Sequence, residues 1–208
     1  TTNAWCFSIY PASFGKAYDP FGAQKDIDAG LIRILHDKSF LDDPTRMYRA
    51  VRFAGRFSWK LAPKTERLLM AAVKEEYPLL LTRERFCREF LKVLKETRMK
   101  EIFALMEKDD MLKFAWPGLH WNDALLYTSD LQERTAILVC LLGSSGENFL
   151  RTLHLPKEFA QEILGAWKIT QEKMCPVAAL SPLQQEVLKA VMPGLPPAAL
   201  EPCFIRGR

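Results

Sequence analysis

The pattern of apolar and polar positions changes character near residue 42. Before it, Trp5-Cys6-Phe7-Ser8-Ile9-Tyr10 is aromatic and apolar. Ser13-Phe14-Gly15-Lys16-Ala17-Tyr18 reads as a turn feeding a short strand, and Asp19-Pro20-Phe21-Gly22 as a second turn. These first thirty residues are expected to be the strand-containing edge of a preceding domain. From Asp42 onward the spacing is helical. Asp43 before Pro44 is a start signal: an N-cap acceptor, then proline where its missing N–H is not needed. Met47, Ala50, Val51, Ala54 and Phe57 then recur at helical spacing and predict a buried stripe. The segment 57–62 breaks this pattern. Pro63 opens a second helix carrying Leu68, Leu69, Ala72 and Val73, and Thr82 caps a third with Phe86, Phe90, Val93 and Leu94 on one face. Further helices are predicted near 99–108, 123–142, 146–153, 157–174 and 181–191, separated by proline and glycine, with 193–197 as a connector. The expected fold class is mainly α: a string of short helices behind a small strand-containing remnant.

Composition narrows the class. A chain of 208 residues, 49% hydrophobic and 26% charged, can bury a core and is neither fibrous nor disordered. Its longest apolar run, Ala136 to Leu142, is about a third of the roughly 20 residues a membrane helix needs, so no membrane partner is expected. Thr1-Thr2-Asn3-Ala4 has neither an initiator Met nor a signal pattern, and the chain is read as cut from a longer protein at both ends. The cysteines Cys6, Cys87, Cys140, Cys175 and Cys203 and the histidines His36, His120 and His154 are scattered, without metal-ligand spacing. The thiols are read as small apolar side chains in a reducing cytoplasm. Net charge is +4, but the distribution says more. Between Leu31 and Arg67, Arg33, Lys38, Arg46, Arg49, Arg52, Arg56, Lys60, Lys64 and Arg67 are opposed only by Asp37, Asp42, Asp43 and Glu66. That excess suits a phosphate-bearing partner.

The chemistry concentrates in Asp42 to Phe57. On a helical wheel Arg46, Arg49, Arg52 and Arg56 fall opposite Met47, Val51 and Ala54. Four arginines on one face call for an anion or for screening by water, and both readings stand at this level. Asp43 and Arg46, three positions apart, sit side by side at the first turn. A carboxylate only accepts hydrogen bonds and a guanidinium only donates. Cytosine and adenine present an amine beside a ring-nitrogen acceptor, which matches that order, whereas uracil and guanine present the reverse. The pair is therefore a candidate protein template for C and A. If Asp43 also caps the helix, its oxygens are divided between two jobs, or Asp42 caps instead.

This string resembles the neck motif of class II tRNA nucleotidyltransferases, the CCA-adding and A-adding enzymes, and of bacterial poly(A) polymerases: acidic-Asp-x-x-Arg followed by R-A-V-R-F. Thr1-Thr2-Asn3-Ala4 resembles the end of the family's R-R-D-x-T-x-N-A motif. Asp19-Pro20-Phe21-Gly22-Ala23-Gln24-Lys25-Asp26-Ile27 resembles D-P-F-G-G-x-x-D-L, with Ala23 for the second glycine and Ile27 for leucine, and Leu31-Ile32-Arg33 resembles the G-L-I-R that follows. Thr82-Arg83-Glu84-Arg85-Phe86, with Glu89 and Lys92, resembles the S-x-E-R-I…E…K motif that closes the neck, and Trp116-Pro117-Gly118-Leu119 stands where members often have P-E-L. The resemblance covers roughly the first 120 residues.

It implies residues 1–30 as the end of a nucleotidyltransferase head, 31–95 as the neck, 96–155 as a helical RNA-binding body and 156–208 as the start of a tail. It also implies the reaction: the 3′-hydroxyl of tRNA or another RNA attacks the α-phosphate of ATP or CTP and pyrophosphate leaves. Mg²⁺ would be held by head-domain carboxylates upstream of Thr1, so the fragment alone is expected to be inactive, with no catalytic residue or metal ligand of its own. Asp43 and Arg46 would read the base with support from Asp42. Arg49 and Arg52 would lie near ribose and phosphates or pack the reader helix, and Asn3 would pack under the nucleotide. Arg83, Arg85, Lys92, Lys95, Arg98 and Lys100 are candidate RNA contacts. Two alternatives remain: a poly(A) polymerase, or a non-catalytic helical module that grips RNA by shape.

Overall fold

A computed structural model describes residues 6–172 and 180–193. Asn3 and its motif, Cys175, Cys203, the end of the helix expected at 157–174 and most of the 193–197 connector lie outside the described residues. The chain is mainly α, as the periodicity predicts, and divides into two compact units: Thr1–Glu89 with Arg98–Ala115, and Phe90–Thr97 with Trp116–Arg208. No helix among the described residues is long and apolar enough to cross a membrane.

The first unit opens with two short strands, β1 (Cys6–Phe7) and β2 (Ala17–Tyr18), paired antiparallel. Asp19 then opens the turn predicted there. Its Oδ1 accepts the Ala23 N–H at 2.7 Å and its Oδ2 the Gln24 N–H at 2.9 Å, starting α1 (Ala23–Asp28). These backbone donors, the Gln24 N–H foremost, hold the Asp19 carboxyl below its usual pKa. From α1 the buried Asp26 takes the Arg33 Nε on both oxygens, at 2.9 and 3.1 Å. Two separate sequence motifs are thereby tied together.

The break expected at 57–62 is a strand. β3 (Leu31–Ile32) pairs in parallel with β4 (Lys60–Leu61), clasping the chain around α2 (Ser39–Asp42) and α3 (Thr45–Phe57). Gly30 stands at the clasp with φ +61°, and a Cβ there would sit 3.3 Å from the Trp59 ring. Along α3, Met47, Ala50, Val51 and Ala54 are buried as predicted. Phe57 is not: at the end of the helix it is 47% exposed and packs beside Phe53 and Trp59. The buried arc instead widens to include Tyr48, Arg52 and Gly55. The reason is α6 (Met99–Lys108), which packs so closely that a Cβ on Gly55 would lie 2.4 Å from Ile102 Cγ1. α4 (Pro63–Lys74) buries Leu69, Ala72 and Val73, and α7 (Leu112–Ala115) follows α6. The start of α5 (Arg83–Leu94) belongs here, with Phe86 edge-on to Tyr48.

In the second unit, α8 (Leu131–Leu141) is buried from Arg134 to Cys140, and α9 (Gly146–Thr152), α10 (Lys157–Glu172) and α11 (Pro182–Val191) pack around it. A helix apolar on all sides is one surrounded by others. The single helix expected over 123–142 is two pieces. Asn122 caps a short 3₁₀ turn at Asp123–Leu126, and Asp130 Oδ1 caps α8 through the N–H groups of Gln132 and Glu133. Arg134 enters the core with its charge satisfied by carbonyls. Its Nε donates to Thr128 O at 2.8 Å, and its Nη1 to Leu94 O at 2.8 Å and Glu96 O at 3.3 Å. Cys87 and Cys140 are buried thiols, and burial pushes Cys140 up to about 12, whereas Cys6 is exposed.

Candidate nucleotide-reading site

The turn into α3 is built around Asp43. Its backbone is extended, and Oδ1 accepts the Thr45 N–H at 3.1 Å and the Thr45 hydroxyl at 2.6 Å. Asp43 thus caps the helix across Pro44, although the hydrogen-bonded helix itself begins at Thr45. A third donor reaches the same oxygen from 42 positions away: Arg85 Nη2, at 3.0 Å. Oδ2 accepts nothing from the described residues. The division of labour left open by the sequence is therefore made oxygen by oxygen, with Oδ1 holding the turn and Oδ2 left without a hydrogen-bond partner among the described residues.

The Asp43 side chain is 28% exposed. Burial is the largest influence on its carboxyl and pushes the pKa up. The Thr45 hydroxyl and N–H and the charges of Arg85 and Arg46 outweigh it, and the net result lies below the usual carboxylate value. Asp43 is consequently ionised at neutral pH and can only accept. Arg46, exposed on the same first turn, donates from Nη1 to the Ser39 carbonyl of α2 at 3.2 Å. Its Nε and Nη2 make no hydrogen bond to the described residues. One hand of each side chain is fixed and the other is open.

The remaining candidates are distributed as follows. Arg49, one turn further on, is half-buried and makes no hydrogen bond or ion pair among the described residues. Arg52 is only 9% exposed, with its guanidinium 4.4 Å from the Phe53 ring centre. The four-arginine face thus separates into outward Arg46 and Arg56, intermediate Arg49 and interior Arg52. Asp42 ends α2 with Oδ2 3.6 Å from His36 Nε2. Arg83 lies over the Phe86 ring and donates to the Ala115 carbonyl at 2.9 Å, Arg98 pairs with Glu101 at 2.9 Å, and Arg85 is engaged by Asp43. Lys92 is half-buried and Lys100 exposed, while Lys95 is exposed with no partner among the described residues.

Two members of the site escaped the sequence. Thr45 was detectable, because an aspartate two positions before a threonine is a local capping pattern. The Arg85 pairing was not, since nothing in a single sequence reports a contact between residues so far apart. Among the described residues no group of three or more His, Cys, Asp or Glu is arranged to hold a metal ion.

No family model matches the chain. Over 126 residues, 61% of this chain, it is 38% identical to an A-adding tRNA nucleotidyltransferase of Aquifex aeolicus, a match spanning 15% of that protein. Over 112 residues, 54% of the chain, it is 36% identical to a multifunctional CCA protein of Nitrosococcus oceani, spanning 27% of it. The matched stretch thus spans less than a third of either curated relative. In structure the chain is similar to a tRNA nucleotidyltransferase complexed with a primer tRNA and an incoming ATP analogue. The TM-score is 0.72 at 29% identity, covering 92% of this chain and 65% of that one.

Proposed function

We propose that this chain, which is similar to tRNA nucleotidyltransferases over part of its length, is the base-selecting and RNA-holding part of an enzyme that adds A, or C and A, to tRNA 3′ ends from ATP and CTP. The observation that carries this reading is the half-open pair at the start of α3: Asp43 Oδ2 as acceptor beside Arg46 Nε and Nη2 as donors. Asp43 accepts from the exocyclic amine of cytosine or adenine, and Arg46 donates to the neighbouring ring nitrogen. Uracil or guanine in the same pose sets carbonyl against carboxylate and N–H against guanidinium. Each polar group left unpaired in a shielded site costs about 1–3 kcal/mol, which is enough to exclude the wrong base.

In this reading Arg49 lies towards the ribose and phosphates, Asp42 and Arg52 support the reader helix, and Asn3 packs beneath the nucleotide. Residues 31–95 act as neck, 96–155 as body and 156–208 as the start of the tail, with Lys92, Lys95 and Lys100 as candidate RNA contacts, Lys95 and Lys100 exposed and Lys92 half-buried. The described carboxylates nearest the head do not fit a Mg²⁺ site. Asp19 uses both oxygens on backbone N–H groups, and Asp26 uses both on Arg33. The described residues of this chain therefore act on the base and the RNA, and the Mg²⁺ that would serve the transfer would be held by carboxylates other than Asp19 and Asp26.

The test is incorporation by a full-length nucleotidyltransferase carrying this segment, on tRNAs ending before the first C, before the second C and before A. Addition of A alone, or of C, C and A, meets the proposal. A long A ladder makes the protein a poly(A) polymerase, and no incorporation by a folded enzyme leaves a helical RNA-binding module. In the same assay Arg46→Ala should lower discrimination against UTP and GTP or abolish addition. Unchanged selectivity would defeat the template.

A further inference from the structure

We propose that Arg85 is a positioning residue for base selection: with Thr45 it saturates Asp43 Oδ1, so that Oδ2 alone meets the base and guanine is refused. The inference rests on the template reading above and deepens it. An aspartate with both oxygens open is a good receptor for guanine, because the two oxygens accept the ring N–H and the adjacent amine side by side. A bare carboxylate at this position would therefore favour one of the bases the pair has to exclude. Here three donors converge on Oδ1: the Thr45 N–H at 3.1 Å, the Thr45 hydroxyl at 2.6 Å and Arg85 Nη2 at 3.0 Å. An oxygen so occupied has no capacity left for a second hydrogen bond to the base, and its three anchors fix the plane of the carboxylate. Asp43 is reduced to a single acceptor, which an isolated exocyclic amine satisfies.

Arg85 suits this task better than RNA contact. Its guanidinium is 51% exposed, so the ion pair adds little to folding stability, and its loss should leave the fold intact. Its charge also helps to hold the Asp43 carboxyl below the usual range, which keeps the reader an acceptor under mildly acidic conditions.

The experiment compares kcat/KM for ATP, CTP, UTP and GTP on tRNA lacking its last nucleotides. It uses the full-length enzyme and its Arg85→Gln, Arg85→Lys, Asp43→Ala and Arg46→Ala variants. Arg85→Gln should lower discrimination against GTP about tenfold, the scale of one charge-assisted hydrogen bond, with a smaller change for UTP. It should also move the acidic limb of the ATP pH profile upward, and Arg85→Lys should restore most of both. If Arg85→Gln keeps the wild-type GTP ratio while Asp43→Ala loses it, the positioning role is refuted and the template survives. Weaker tRNA binding with unchanged nucleotide ratios would refute it in favour of an RNA contact. If Asp43→Ala and Arg46→Ala also keep full selectivity, the template reading itself fails.

Discussion

Arg134 places a guanidinium inside the second unit at only 6% exposure, and replacing it by Met removes the charge while keeping most of the volume. The carbonyls of Thr128 and Leu94 each lose a donor at 2.8 Å, and that of Glu96 loses a weaker one at 3.3 Å. Two buried charge-assisted bonds contribute about 1.5–3 kcal/mol each, and the positive charge at the C-terminal end of α5 adds about 0.5 kcal/mol through the helix dipole. Opposing this, the variant no longer buries a charge, and burial already pushes the Arg134 pKa below its usual value. The balance is a destabilisation of about 3 kcal/mol. At roughly 2–4 °C per kcal/mol for a chain of this size, the melting temperature falls by about 6–12 °C. Differential scanning calorimetry with far-ultraviolet circular dichroism measures it, and tryptophan fluorescence reports on Trp116 and Trp167 in the same unit. Arg134→Lys keeps the charge but reaches fewer carbonyls at once, so it should fall between Met and wild type. A Met variant melting within about 2 °C of wild type, less than 1 kcal/mol by the same conversion, would show that the three carbonyls do not depend on this side chain.

Two further perturbations test the packing and the reading turn. Gly146→Ala would ordinarily stabilise a helix by about 1 kcal/mol. Here the new Cβ would lie 2.1 Å from the Val139 carbonyl oxygen and 2.7 Å from Trp167 Nε1, an atom that donates to Gly143 O. Overpacking of this kind costs about 1–3 kcal/mol or more, so a lower melting temperature and altered Trp167 emission are expected, and a higher melting temperature would contradict the close approach. The Asp43 pKa is depressed in the folded chain, so its stabilisation is complete above the unfolded aspartate value of about 3.9 and disappears as pH falls through the folded value. Urea denaturation of wild type and Asp43→Ala should therefore show a stability gap that is constant from about pH 7 to 5 and narrows below about 4. A gap that widens on acidification would reverse the sign.

Much of this architecture could be read from spacing, and the failures share a cause. The stripe Met47, Ala50, Val51 and Ala54 is buried because a period of 3.6 aims those side chains one way. Arg52 was read as facing outward because a wheel assigns one buried side to a helix, while α3 is covered over a wider arc. Phe57 was placed inside by the same wheel, although a residue at a helix end has less of the structure around it. The clasp at residues 60–61 was read only as an interruption, since two-residue strands leave no periodicity to detect. In the candidate site, Asp43 and Arg46 were legible because they are neighbours on one turn. Arg85 reached the same oxygen from another helix, so the sequence assigned it to RNA.

The parallel clasp has a consequence for how the reading turn is made during synthesis. Once residues 60–61 have left the ribosome, β4 can close on β3 around α2 and α3, because every partner is within about thirty positions and loop closure grows only slowly with length. At that stage Asp43 already holds the Thr45 N–H and hydroxyl. Arg85, its third donor, has not yet emerged. A nascent chain arrested between β4 and α5 therefore carries a capped carboxylate that is not yet aimed, and the reader is completed only as α5 emerges.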